Sequence, residues 1–293
     1  IAENTVLTTT LAHIDASSVS RPINSTATPV IDLDAKSTSS VIALVASASV
    51  AIGVGLGGAG IGASIGVSIA RNTIGGANPV DSVTPEVGAY LFDTSVTYAG
   101  AVTLDAVGGQ VIGALVVAMS AAVGGGAAAG VGLSGAGVWA ENTIAADVQA
   151  FIAATTTATV SAASVALSAS DTSAIAAVAG SASLAAGIGT VGAAISVGVT
   201  LARNTITSDV AAFLKNVAVT VTGSLGISLV ASNAASITVI AAAASVAVGG
   251  GLVGIGISGA GADAANIIRT KTNAYASGGS LTSTKTGSIA WRA

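Results

Sequence analysis

Large and small residues alternate along much of this chain. From 49 to 57 the bulky positions are Val50, Ile52, Val54 and Leu56, each separated by Ala or Gly. Beyond the Gly57-Gly58-Ala59-Gly60 break the phase flips to Ile61, Ile65, Val67 and Ile69, with Gly62, Ser64, Gly66 and Ser68 between them. The pattern returns at Val191, Ile195, Val197, Val199 and Leu201, and again at Val253, Ile255 and Ile257. A period of two puts bulky side chains on one face and tiny ones on the other, which predicts β-strands. On a helix the same spacing would scatter β-branched residues around the cylinder. Each interior glycine would also cost about 1 kcal/mol relative to alanine.

One phrase punctuates the strands: AENTV at 2–6, ARNTI at 70–74, AENTI at 140–144, ARNTI at 202–206 and AANII at 264–268. Its asparagines, Asn4, Asn72, Asn142, Asn204 and Asn266, lie 68, 70, 62 and 62 residues apart. A fixed phrase at a near-constant period marks a repeat architecture. The whole chain, 1–293, reads as one continuous array. Its units are roughly 1–30 (partial), 31–98, 99–157, 158–215, 216–279 and 280–293 (partial). It opens and closes in mid-repeat and is read as a piece of a longer array. The extra residues of the two long units fall at 21–29 and 77–85, segments that hold all four prolines and read as surface loops.

Within a unit, one strand (158–167 or 217–221) leads through a polar kink, Ser170-Asp171-Thr172-Ser173 or Ser232-Asn233-Ala234-Ala235, to a second apolar strand at 174–186 or 236–248. A Gly-rich corner and a return strand through the Asn phrase follow. The expected fold is all-β: a parallel β-solenoid (β-helix) with broad coils of about 62–70 residues, rising about 4.8 Å each. Two coils of about 31 residues per unit are the alternative. The corner glycines are expected to supply positive φ. The bulky face is expected inside, leaving a smooth Gly/Ala/Ser exterior suited to lateral association with copies of itself.

In such a stack, equivalent positions form files. The Asn file is expected to hydrogen-bond amide to amide along the axis. The preceding residues Glu3, Arg71, Glu141 and Arg203 alternate in sign, which favours single-coil stacking and fixes register. Nine residues after the asparagines stand His13, Phe151, Phe213 and Tyr275, with Tyr90 displaced by the insertion; these form an aromatic corner. Five residues after the asparagines come Thr9, Asp147, Asp209 and Lys271, with Glu86 the equivalent. The three acids Glu86, Asp147 and Asp209 either splay into water or are bridged by a hard cation such as Ca²⁺.

Composition narrows the function. Charged residues are 8% and aromatics 3% of the chain, and the net charge is −4 with no basic patch, so nucleic acid is not an expected partner. Cysteine is absent, and a single His cannot build a zinc site or a serine-type triad. No acid–base pair or activated nucleophile stands out, so no enzyme and no cofactor are expected. The glycine runs lack the aspartates of the Ca²⁺-binding nonapeptide repeat. Four stretches, 37–70, 106–140, 172–202 and 216–262, carry no charge. Their length alone would admit membrane-spanning segments, and a membrane-inserting Gly-rich protein or pore is the alternative reading.

The phrases Ser68-Ile69-Ala70-Arg71-Asn72-Thr73-Ile74 and Thr200-Leu201-Ala202-Arg203-Asn204-Thr205-Ile206, the latter followed by Asp209-Val210 and Phe213-Leu214, resemble repeats of filamentous-haemagglutinin-like and adhesin-like bacterial exoproteins. The resemblance covers essentially the whole chain. It implies export to the bacterial cell surface or beyond, a β-solenoid shaft, and a structural or adhesive role. The expected function is therefore a repeat segment of an extracellular filament, sheath or adhesin stalk. Its expected partners are copies of itself, joined end to end, and other surface components.

Overall fold

A computed structural model describes residues 1–21, 30–76 and 86–293; apart from Arg21, the two proline-bearing insertions lie outside them. The chain runs through β1 (Ala2–Val6), β2 (Thr10–Asp15), β3 (Ser18–Ser20), β4 (Ile31–Ser37), β5 (Ser40–Gly55) and β6 (Ala59–Ile74). Then come β7 (Val87–Phe92), β8 (Ser95–Gly108), β9 (Val111–Gly126) and the 43-residue β10 (Ala129–Asp171). Beyond it lie β11 (Ala174–Ile188), the 43-residue β12 (Val191–Asn233), β13 (Ser236–Gly250), β14 (Val253–Ser283) and β15 (Ile289–Arg292). The described residues contain no helix.

Every strand pairing given by the described residues is parallel and joins a strand to its equivalent one repeat away. Asn142 faces Asn72 on one side and Asn204 on the other, and Ile175 faces Ile112 and Ile237. Each repeat thus passes once through the sheets, which argues against two coils per unit. The described strands form an eleven-stranded sheet and a four-stranded sheet in the order β13-β11-β9-β5. The large sheet curls strongly, because a straight 43-residue strand would span about 140 Å. Its own inner residues, among them Leu91, Leu104, Ile152, Leu167, Val219 and Leu229, close into one core.

The four-stranded sheet lies against the first halves of β6, β10, β12 and β14, forming a two-sheet leaf. At the leaf's base Ile112 and Ile175 meet Ile74, Ile144 and Ile206. Further out Val116 and Ala179 meet Ala70, Ala140 and Ala202. Serine facing serine comes next, and then glycine. The interior therefore tapers from isoleucine to glycine toward the turn.

The leaf overturns the expected sidedness. Ser64, Ser68, Ser134 and Ser196 are buried, whereas Val50, Ile52 and Ile65 are 72, 71 and 76% exposed. The strands alternate as expected, but the small face lies inside and the bulky face outside. Only the smallest side chains let the two sheets approach closely enough to bond hydroxyl to hydroxyl across the gap. The role of the corner glycines is corrected in part with it: Gly251 holds a positive φ of 148°, as expected, whereas Gly53 within β5 and Gly124 at its corner do not. They are required because a Cβ on either would overlap the backbone of Ile61 or Val131 in the facing sheet.

Candidate functional site

The repeat phrase sits at the base of the leaf, where its asparagine side chains point inward. Asn4, Asn72, Asn142 and Asn204 each donate Nδ2–H to the Oδ1 of the next asparagine, at 2.8, 2.8, 2.7 and 3.0 Å, ending at Asn266. Asn72, Asn142 and Asn204 are at most 1% exposed, so the row satisfies amides that water cannot reach. All four bonds point the same way, which makes the row directional.

Outside the row, register places Glu3, Arg71, Glu141 and Arg203 in one file. The ion pairs within it are uneven. Arg71 reaches Glu141 at 3.4 Å, but Arg203 turns to Asp263 at 3.5 Å, and Glu141 also accepts from Trp139 Nε1 at 3.4 Å. The alternating ladder is thus closed at one rung. Arg203 chooses Asp263 because the fifth repeat offers Ala265 where a second glutamate would stand. Both pairs are about half exposed, so each contributes under about 1 kcal/mol.

His13, Tyr90, Phe151, Phe213 and Tyr275 stack in sequence, with ring centroids 4.9, 4.7, 4.8 and 5.1 Å apart and planes within 15°. Three positions on, the chain turns a corner: Ala16, Asp93 and Asn216 hold φ of 47°, 46° and 56° there, and Gly278 holds 64°. Asp93 braces it by accepting from Thr155 N and Oγ1, each at 2.6 Å, which holds its pKa below the ordinary value.

The three members of the acid file meet different surroundings. Glu86 is buried and accepts from Gly76 N at 2.8 Å; desolvation raises its pKa against the lowering by hydrogen bonds from the Gly76 and Asp147 backbone. Asp147 accepts from Gln149 Nε2 at 2.7 Å, and its pKa rises to about 6, mainly by desolvation and further by the charge of Asp209. Asp209 pairs with Lys271 at 3.4 Å. Each acid is thus accommodated separately. Among the described residues, no group of three or more His, Cys, Asp or Glu is arranged to hold a metal.

Two polar systems escaped the sequence reading. Inside the leaf, Ser49, Ser64, Ser120, Ser134, Ser183 and Ser196 form an unbroken zigzag from sheet to sheet. Four of its links are 3.0, 2.9, 3.0 and 2.8 Å, and Ser49–Ser64 closes the end. At the kink between the curled sheet and the leaf, Asp171 is 1% exposed. Its carboxylate accepts from Ser208 Oγ at 2.5 Å, Asn233 Nδ2 at 3.3 Å and Ser173 N at 3.1 Å. The signal for both was present: serines recur at equivalent positions, and Asp171 alone interrupts two charge-free stretches.

Comparison with known proteins gives no match at any level: no family model, no curated protein and no solved structure is similar to this chain. No helix among the described residues is long and apolar enough to cross a membrane. The arrangement itself offers rows of like groups rather than a converging set. They hold successive repeats of the chain in register.

Proposed function

We propose that this chain is a stretch of parallel β-solenoid, one broad coil per repeat, that forms part of an extracellular bacterial filament, sheath or adhesin stalk. Copies join end to end. The observation that carries this reading is the directional asparagine row, which runs through all five repeats and has an acceptor end at Asn4 and a donor end at Asn266. A second copy placed after Asn266 continues it without inverting a single amide. The edge strands support the same reading: β5 and β13 each pair on one side only, and open parallel edges invite strand addition. The resemblance of the Asn phrase to repeats of large exoproteins supports export and a place at the cell surface.

Electron micrographs of the purified chain test it. Filaments of constant width with a layer spacing of about 4.8 Å are expected. Asn266→Lys, which sets a charge at the donor end, should leave the β-rich circular dichroism unchanged and shorten them. Uniform single particles at all concentrations, with no effect of Asn266→Lys, would refute end-to-end joining.

A further inference from the structure

The outer face of the four-stranded sheet is ridged. Register stacks Leu44, Leu115, Val178 and Ile240 into one column, exposed by 72, 41, 43 and 61%. Four residues along the strands, Ala48, Met119, Ala182 and Ala244 line a furrow. Beyond the furrow Val50, Leu184 and Val246 raise a second ridge. No charged residue occurs anywhere on this face, since all four strands lie within the charge-free stretches.

We infer that this face packs against the same face of a second copy, about a two-fold axis parallel to the stacking direction and passing over the column of Val117. That operation lays the Leu115 ridge of each copy along the Met119 furrow of the other. It also sets the second ridge over the column Ile42, Gly113, Ala176 and Thr238, which is small at its two middle strands and raised by the exposed Ile42 at one end. Both copies keep the same axial spacing of about 4.8 Å, so the columns of one stay in step with those of the other along the whole length.

Area decides that such a contact is sufficient. Strands of 15 or 16 residues at about 3.3 Å each, four abreast at about 4.8 Å, present roughly 1,000 Å² per copy. Stable interfaces need about 800 Å² per partner, and an apolar patch beyond a few hundred Å² marks an interaction site. Lipid fits the same face less well. The edge strands β5 and β13 carry a row of backbone N–H and C=O groups that hydrocarbon cannot satisfy. A second copy leaves those edges in water or open to the next copy along the fibre. The proposal deepens the filament reading by supplying the sideways contact between fibres, and it rests on that reading for the regular repeat of the face.

The test uses the absence of native cysteine. Val117→Cys puts one thiol on the axis column, where a short bismaleimide linker should join two copies. Leu133→Cys, on the opposite outer face of the leaf, should not be joined. Adding Leu115→Lys and Val178→Lys to the Val117→Cys chain should reduce the linked dimer at least tenfold while the circular dichroism stays β-rich, because both positions are already exposed. Equal linking at Val117→Cys and Leu133→Cys, or linking indifferent to the two lysines, overturns the proposal. So does flotation with phosphatidylcholine vesicles at the expense of linking. Fibre length in micrographs reads the end-to-end contact separately. Protein that links sideways without forming fibres keeps this proposal and loses the filament.

Discussion

Asn142 donates its Nδ2–H to Oδ1 of Asn204 at 2.7 Å, across 62 residues of chain and without water access to either amide. The bond holds two repeats at one height. Replacing Asn142 by Ala strips a partner from both Asn72 and Asn204 inside the protein, and an orphaned buried polar group costs about 1–3 kcal/mol. Asn142→Ala should therefore lower the denaturant midpoint clearly. Asn4→Ala, at the half-buried end of the row, should cost less than about 1 kcal/mol. Equal effects in urea titrations would count against a continuous amide row.

Asp147 gives the protein a pH dependence opposite to that of most acids. Burial raises its pKa to about 6, so the folded protein holds this proton more tightly than the unfolded chain does. The stability it contributes is complete below about pH 4, the unfolded value, and is lost as pH rises through about 6. Glu86 acts in the same direction. The thermal midpoint should fall between pH 4 and pH 7 by an amount worth about 1–3 kcal/mol, and Asp147→Asn should flatten that slope. A midpoint that rises over this range would contradict the desolvated carboxylate.

Gly132 and Gly137 lie five residues apart on one strand and face opposite ways. A Cβ at Gly132 would overlap the Ala186 backbone across the leaf, whereas one at Gly137 meets open space. Gly132→Val should destabilise strongly, by about 3 kcal/mol or more, since neither sheet can retreat without breaking the serine chain. Gly137→Val should be neutral or slightly stabilising, because valine suits a strand. Hydrogen exchange of β9 and β11 amides reads the difference, with rapid exchange in the first variant alone.

Asp171 ties the curled sheet to the leaf. Asp171→Ala removes the acceptor for Ser208, Asn233 and Ser173 in a site that is 1% exposed. A loss of about 3–5 kcal/mol is expected, as for breaking a buried charged network. Asp171→Asn, which keeps the shape and one carbonyl acceptor, should recover part of it. Equilibrium unfolding of the two variants measures the gap.

Much of the architecture was legible because a period of two and a fixed phrase survive in one dimension. The strand alternation, the Asn row and the stacked rings from His13 to Tyr275 follow from equivalent residues meeting at equal heights. What alternation does not carry is which side faces in, since that depends on the opposing sheet. A mirrored series would have told: Gly53 and Gly60, Ala51 and Gly62, Ser49 and Ser64 are each centred between Leu56 and Gly57. Two small faces folded onto each other make an interior. The uneven ion pairing of Arg203 was invisible for another reason: Asp263 lies one side-chain step off the file, and a long flexible arginine can reach either neighbour.

The first two spacings between asparagines exceed the last two by six to eight residues, yet all five amides stand on consecutive rungs. Contour length is therefore uncoupled from height. A stack of repeats built this way gains a set increment of height with each repeat, and a segment spliced into one of its bends would broaden the layer it joins while leaving the height of the stack unchanged.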